Sequence, residues 1–282
     1  MNSPATRTDQ AYWDSIAANY DQVFPETVIG KVQRDAVWRD LDKAFQPGMR
    51  VLELNCGTGI DASHLAERGV QVMACDLSAG MIAAARRRVD SAGLAALVDL
   101  RVLPTEEIDS LTAEAPFDGA FSNFSGLNCV QDISRVARNL ARLLKPDAKL
   151  LLCMVGRFSP WEMAWQLAHG SPGLAMRRFR RKPTTHVSAH GAFSVRYPSV
   201  RDMTRMFAPE FRLGGWKGIG IAVPPSCLEP LARMPLSIIG ELAKIDRYLS
   251  RVPVFRSMGD CMLLQFERLT GELSSSRKAS LS

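Results

Sequence analysis

In the first half of the chain, short apolar runs alternate regularly with amphipathic stretches. Residues 51–54 (Val-Leu-Glu-Leu) and 70–75 read as strands, and residues 60–68 between them read as a helix, which makes a βαβ unit. A helix over 79–91, a strand over 96–103 and, after an acidic loop, a strand over 117–121 continue the pattern. Next comes a helix over 132–144, with Asp132 as its N-cap and Val136, Leu140 and Leu143 along one stripe. A turn at Lys145-Pro146-Asp147 leads into a fifth strand over 149–155. Strands this uniformly apolar belong to a parallel sheet covered on both faces.

Upstream, Tyr12, Ile16, Tyr20 and Phe24 recur every four positions and predict one helix over 11–24. A second amphipathic stretch over 31–45 closes at Pro47-Gly48. Downstream the rhythm breaks. Residues 156–198 are rich in Arg, Pro, Gly and His and are expected to form an inserted lid. A helix over 200–207, a strand over 211–221, an interrupted helix over 228–249 and a last strand over 261–269 follow. This divides the chain into an N-terminal helical cap (1–48), a binding core (49–155), the lid (156–198), the remainder of the sheet (199–270) and a flexible tail (271–282).

The 282 residues, 46% of them hydrophobic, suffice for one large core. The polar start and the lack of an 18-residue apolar run argue against secretion and membrane spanning, so a cytoplasmic protein is expected. Cys56, Cys75, Cys129, Cys153, Cys227 and Cys261 lie scattered in apolar surroundings without metal-ligand spacing and read as small hydrophobes. A net charge of +6 suits nucleic acid, an anionic lipid surface or an acidic small molecule equally well.

Gly57 and Gly59 follow the first strand, where backbone must approach a ligand at the carboxyl edge of such a sheet. Gly57-Thr58-Gly59-Ile60-Asp61-Ala62 also satisfies the dinucleotide pattern GxGxxA, so the glycines alone fit a nicotinamide enzyme too. Asp76, ending the second strand, can accept both hydroxyls of a ribose, which either cofactor carries. Glu53 discriminates: a carboxylate inside the first strand suits a zwitterionic amino acid moiety and repels a pyrophosphate.

Residues 51–59 with Asp76 resemble motif I and its acidic partner in class I S-adenosylmethionine-dependent methyltransferases. Residues 117–124 (Phe-Asp-Gly-Ala-Phe-Ser-Asn-Phe) resemble that family's fourth-strand motif, residues 143–150 its turn into the fifth strand, and Tyr20-Asp21 a pair common in its N-terminal helix. Two positions depart from the pattern. Asn55 stands where the first glycine is usual, and Leu103-Pro104-Thr105-Glu106 replaces the usual acidic residue followed by Ala. The resemblance implies a Rossmann-like doubly wound α/β sheet of seven strands, mostly parallel with an antiparallel last strand, and a lid inserted after strand 5. It implies S-adenosyl-L-methionine as cofactor, held by Tyr20, Glu53, Asn55, Cys56, Gly57, Gly59, Asp76, Leu77, Met81, Thr105, Glu106, Asn123 and Phe124. S-adenosyl-L-homocysteine would be the product.

In-line methyl displacement needs alignment and water exclusion, and a general base only for a weakly acidic acceptor. His186, His190 and Tyr197 are the candidate bases, and Asn128, Trp161, Arg177 and Arg178 the candidate substrate contacts. No metal is expected, because the surroundings of His186 and His190 disfavour the helix that would pair them. Ser159-Pro160-Trp161-Glu162 reads as a capping box, which makes Glu162 structural. The run 177–182 (Arg-Arg-Phe-Arg-Arg-Lys) is either a solvated face or a contact for an anionic group or membrane surface. The acceptor is expected to be a small molecule with hydrophobic surface, on a monomer or homodimer. A nucleic-acid methyltransferase is disfavoured, since Asn123 is followed by Phe124-Ser125-Gly126 and no RNA-binding module is visible. A NAD-dependent oxidoreductase and a cofactor-retaining cyclase stay open.

Overall fold

In the computed structural model, residues 4–270 are described except 181, 189, 190, 227, 229, 230, 232 and 233. Strands β1 (Arg50–Leu54), β2 (Gln71–Asp76), β3 (Val98–Val102), β4 (Phe117–Ser122), β5 (Leu144–Val155), β8 (Phe211–Ile219) and β9 (Cys261–Arg268) form one sheet in the order β3-β2-β1-β4-β5-β9-β8. Every neighbouring pair from β3 to β5 is parallel, and the final strand β9 runs antiparallel to both β5 and β8. The seven-stranded sheet with an antiparallel last strand is as expected.

Period-2 alternation sends successive side chains to opposite faces, and each face has its own core. Leu52, Leu54, Leu150 and Leu152 pack with helices α6 (Ile133–Leu143) and α9 (Val200–Phe207). Val51, Val72, Leu151 and Cys153 pack with α3 (Val28–Ala44), α4 (Ile60–Ala66) and α5 (Ala79–Ser91). Glu53 shares the parity of Val51 and is therefore buried beneath α3 and the start of α4. That placement governs the chemistry described below.

Several local expectations are corrected. The helix over 11–24 is two helices, α1 (Pro4–Ile16) and α2 (Tyr20–Val23). Tertiary bonds explain the break: the Asp21 carboxylate accepts from Thr58 Oγ1 and Arg88 Nη2, both at 2.5 Å, which draws Tyr20 away from the line of α1. The turn at 145–147 is a bulge within β5. Asp147 takes a left-handed conformation (φ 60°), and the pairing with β4 jumps from Phe117–Leu144 to Gly119–Lys149. The acidic loop forms a 3-10 helix over Thr105–Glu114.

Segment 156–198 holds α7 (Pro160–Ala168), α8 (Pro172–Ala175) and a hairpin of β6 (Thr184–Ser188) with β7 (Gly191–Val195), which packs on α1. The capping box at its start does not form: Ser159 makes no side-chain cap bond, and Glu162 instead accepts from Arg177 Nε (2.7 Å) and Arg178 Nη2 (2.5 Å). Arg178, 6% exposed, also reaches Asp260 Oδ1 at 2.7 Å, so a buried arginine ties the segment to the approach of β9. Removing one partner of such a cluster strands the remaining charges. Arg178→Ala is expected to lower the unfolding free energy by about 3 kcal/mol or more, measured by urea denaturation at unchanged m; a loss under about 1 kcal/mol would show that the ion pairs are no anchor.

Candidate active site

The site begins at the turn after β1. Asn55 is left-handed (φ 56°), a conformation Asn tolerates, and Gly59, also left-handed, opens α4 so close to α5 that a Cβ there would lie 2.8 Å from the Cβ of Ala85. The Asn55 side chain spans to the end of β4, where Ser122 Oγ donates to its Oδ1 at 3.3 Å. It lies flat against Gly126, and a Cβ at 126 would fall 2.2 Å from the Cβ of Asn55. Asn55 thus couples the ends of β1 and β4. Beyond β4, Phe124 and Ser125 are both left-handed (φ 46° and 77°), a pair of costly conformations at the sheet's carboxyl edge.

Asp76, at the end of β2, is oriented by two backbone donors, Gly57 N–H to Oδ2 (2.8 Å) and Ser78 N–H to Oδ1 (2.9 Å). Each oxygen keeps a lone pair for the cleft. Burial raises its pKa to about 6, against the lowering effect of those donors. The N-terminal helices clamp this region, since Asp14 accepts from Ser78 Oγ (2.5 Å) and Gly80 N–H (2.9 Å) just as Asp21 accepts from Thr58 and Arg88.

A cleft of about 1080 Å³, its open mouth included, lies along this edge. Tyr20, Asn55, Cys56, Gly57, Asp76, Leu77, Met81, Thr105, Glu106, Asn123 and Phe124 all line it; of the expected cofactor residues only Glu53 and Gly59 do not. Its wall includes the aromatic rings of Trp13, Tyr20, Phe124 and Phe193. The Tyr20 phenol is pushed up to about 12 by burial, which keeps it a hydrogen-bond donor.

The charge of the cleft is opposite to that of the protein. Asp9, Asp61, Asp76 and Glu106 line it against Arg34, which is bound to Asp61 at 2.6 Å and lies 4.8 Å from the Phe124 ring centroid. Glu53 sits behind this pair, 1% exposed, with a pKa raised well above the usual carboxylate range by burial and by the charge of Asp61. Its Oε2 has no hydrogen-bond partner among the described residues, nor do either of the amide atoms of Asn123. Buried polar groups of this kind are completed by a ligand or water. A cationic amino acid moiety with polar ends therefore fits the residues present.

The other candidates fall elsewhere. His186 stacks on Phe193 and shares a 3.0 Å hydrogen bond with the Tyr197 hydroxyl, and neither residue lines the cleft. Burial, followed by the charge of Arg177, lowers the pKa of His186; burial raises that of Tyr197. His190 lies outside the described residues. Asn128 is fully buried as a structural clip: its amide bonds the backbone of Val155 and the carbonyl of Arg196. Trp161 donates to the carbonyls of Ile221 (3.1 Å) and Ala222 (3.2 Å). Arg177 and Arg178 are committed to Glu162 and Asp260, which corrects their reading as anion contacts.

Sequence reasoning missed Asp9, Trp13, Arg34 and Asp61. Arg34 left a signal, because it continues the inward stripe of Val37 and Leu41 on α3, where a charge demands a buried partner. Asp9 left none: its carboxyl, raised in pKa by burial, accepts from the backbone of Ser194 on β7, a contact between distant segments.

The sequence profile of the methyltransferase domain matches residues 51–147. A demethylmenaquinone methyltransferase of Beutenbergia cavernae is 31% identical over 217 residues, 74% of this chain and 82% of the relative. One of Thermobifida fusca is 30% identical over 183 residues, 62% of this chain and 74% of the relative. Among solved structures, the cyclase SpnF matches with a TM-score of 0.63 at 16% identity, covering 96% of this chain and 98% of its own. An S-adenosylmethionine-dependent methyltransferase from Mesorhizobium loti matches at 0.53 and 18%, covering 86% of this chain and 100% of its own. With the profile on the core, relatives of this identity over most of their length and the seven-stranded sheet in this order, the chain belongs to the class I S-adenosylmethionine-dependent methyltransferases.

Proposed function

We propose that the enzyme methylates a small, largely apolar ring acceptor of the hydroquinone class, enclosed between the N-terminal helices and segment 156–198 acting as a lid. The observation that carries this reading is the make-up of the cleft, acidic along the cofactor edge and walled by aromatic rings contributed from both flanking segments. The relatives' named activity on demethylmenaquinone supports the ring class.

When bound, S-adenosyl-L-methionine supplies an electrophilic methyl group on a sulfonium, with adenine, ribose and a zwitterionic methionine end. In this reading Asp76 accepts from the ribose, with Leu77 and Met81 beside it. Thr105, Glu106 and Asp9 border the adenine end, where Pro104 replaces the usual side chain. Asn123, the backbone of 55–57 and the Glu53–Arg34–Asp61 group hold the methionine end. Tyr20 and Phe124 exclude water from the line of displacement. Excess acid stabilises a cationic ligand and repels a pyrophosphate, which argues against a nicotinamide dinucleotide. The likeness to SpnF is one of fold and carries no second reading.

Ligand binding, its pH dependence and turnover each test this reading. Calorimetric titration detects S-adenosylmethionine binding and no NAD binding, and a demethylmenaquinol supports S-adenosylhomocysteine formation; turnover with nucleic acid instead of quinols would overturn the acceptor class. Affinity for S-adenosylhomocysteine is level above neutral pH and falls as pH drops through about 6, where Asp76 protonates and one of its two acceptor oxygens becomes a hydroxyl donor. Asp76→Asn removes that inflection and weakens binding by about tenfold or more. His186→Gln changes kcat by less than about tenfold, whereas loss of a general base costs about 10²–10⁴.

A further inference from the structure

Between Glu162 and Asp202 the chain contains no acidic residue at all, yet it carries seven arginines and lysines, more than the whole protein's net excess. Two of them, Arg177 and Arg178, are neutralised by Glu162 and Asp260. Arg180 and Lys182 are exposed and make no ion pair among the described residues. Around them stand large apolar side chains that the fold leaves uncovered: Leu167 at the end of α7, Leu174 on α8, which packs on α7, then Met176 and Phe179, from 38% to 56% exposed. The buried Arg178 cluster ties this surface to the approach of β9.

A solvated basic face does not need exposed Leu and Met, and an apolar interface between subunits does not need a field of one sign. A second copy of this face would set like charges against each other, and phosphodiester backbones gain nothing from aliphatic side chains. An anionic lipid surface answers both features, because headgroups attract the cations while leucine and methionine enter the acyl boundary. No described helix is long and apolar enough to cross a membrane, so contact through such a face is peripheral. The same segment lends Phe193 and Val195 to the cleft, so this basic and apolar surface and part of the cleft wall belong to one segment.

We infer that the α7–α8 face of segment 156–198, from Leu167 to Lys182, docks the enzyme on anionic membranes. The inference goes beyond the acceptor assignment and is tested without acceptor or turnover, so failure of one leaves the other standing. Full-length protein is sedimented with phosphatidylcholine vesicles, with and without phosphatidylglycerol, at low and high salt. The expected result is partition onto the phosphatidylglycerol vesicles alone and release by salt. Both Arg180→Glu/Lys182→Glu and Leu174→Glu/Met176→Glu reduce the partition by about tenfold or more, while each double variant keeps the wild-type affinity for S-adenosylhomocysteine, which reports an intact fold. Equal binding to neutral vesicles, no binding to either, or undiminished binding by both variants overturns the inference. Binding to a DNA duplex with no vesicle binding overturns it in favour of a polyanion partner.

Discussion

Several carboxylates have to share the carboxyl edge of a buried sheet with a single arginine, and much of this structure follows from that constraint. Desolvation raises the pKa of Glu53, Asp76 and Asp9, a cost the protein sustains only where a ligand's cations return the lost interactions. Arg34 satisfies Asp61 and lies against Phe124, yet Glu53 keeps an unpartnered oxygen. A sulfonium compound with an ammonium group matches this deficit in charge. A dinucleotide phosphate would worsen it.

The N-terminal helices serve the same edge. Two of their acids bond inward, Asp14 to the start of α5 and Asp21 to the glycine turn and Arg88. Each bond satisfies backbone or side-chain donors that the turn leaves open, so the cap and the cofactor loop are one hydrogen-bonded unit. The 156–198 segment is held differently, through the Glu162–Arg178–Asp260 cluster at its base and the packing of β7 on α1 at its tip. Arg180, Lys182 and the apolar side chains of Leu167, Leu174, Met176 and Phe179 are displayed outward, while Phe193 lines the cleft.

The order of strands and helices was legible in the sequence because it depends on local periodicity and turn chemistry, which act over a few residues. Glu53, the glycine turn and Asp76 were legible for a related reason: backbone geometry at a strand end restricts which residue types serve there. Tertiary structure alone decided the fate of the charges. Glu162 forms a capping box in a local reading, but the guanidiniums of Arg177 and Arg178 outcompete one backbone N–H for a buried carboxylate. Tyr12, Ile16, Tyr20 and Phe24 mark one helical stripe, but Asp21's distant partners break it. His186 and Tyr197 have the chemistry of bases, and packing joins them to each other outside the cleft. Pairing between residues far apart in the chain depends on three-dimensional proximity and on which partner desolvation penalises least, and neither quantity is written in local sequence.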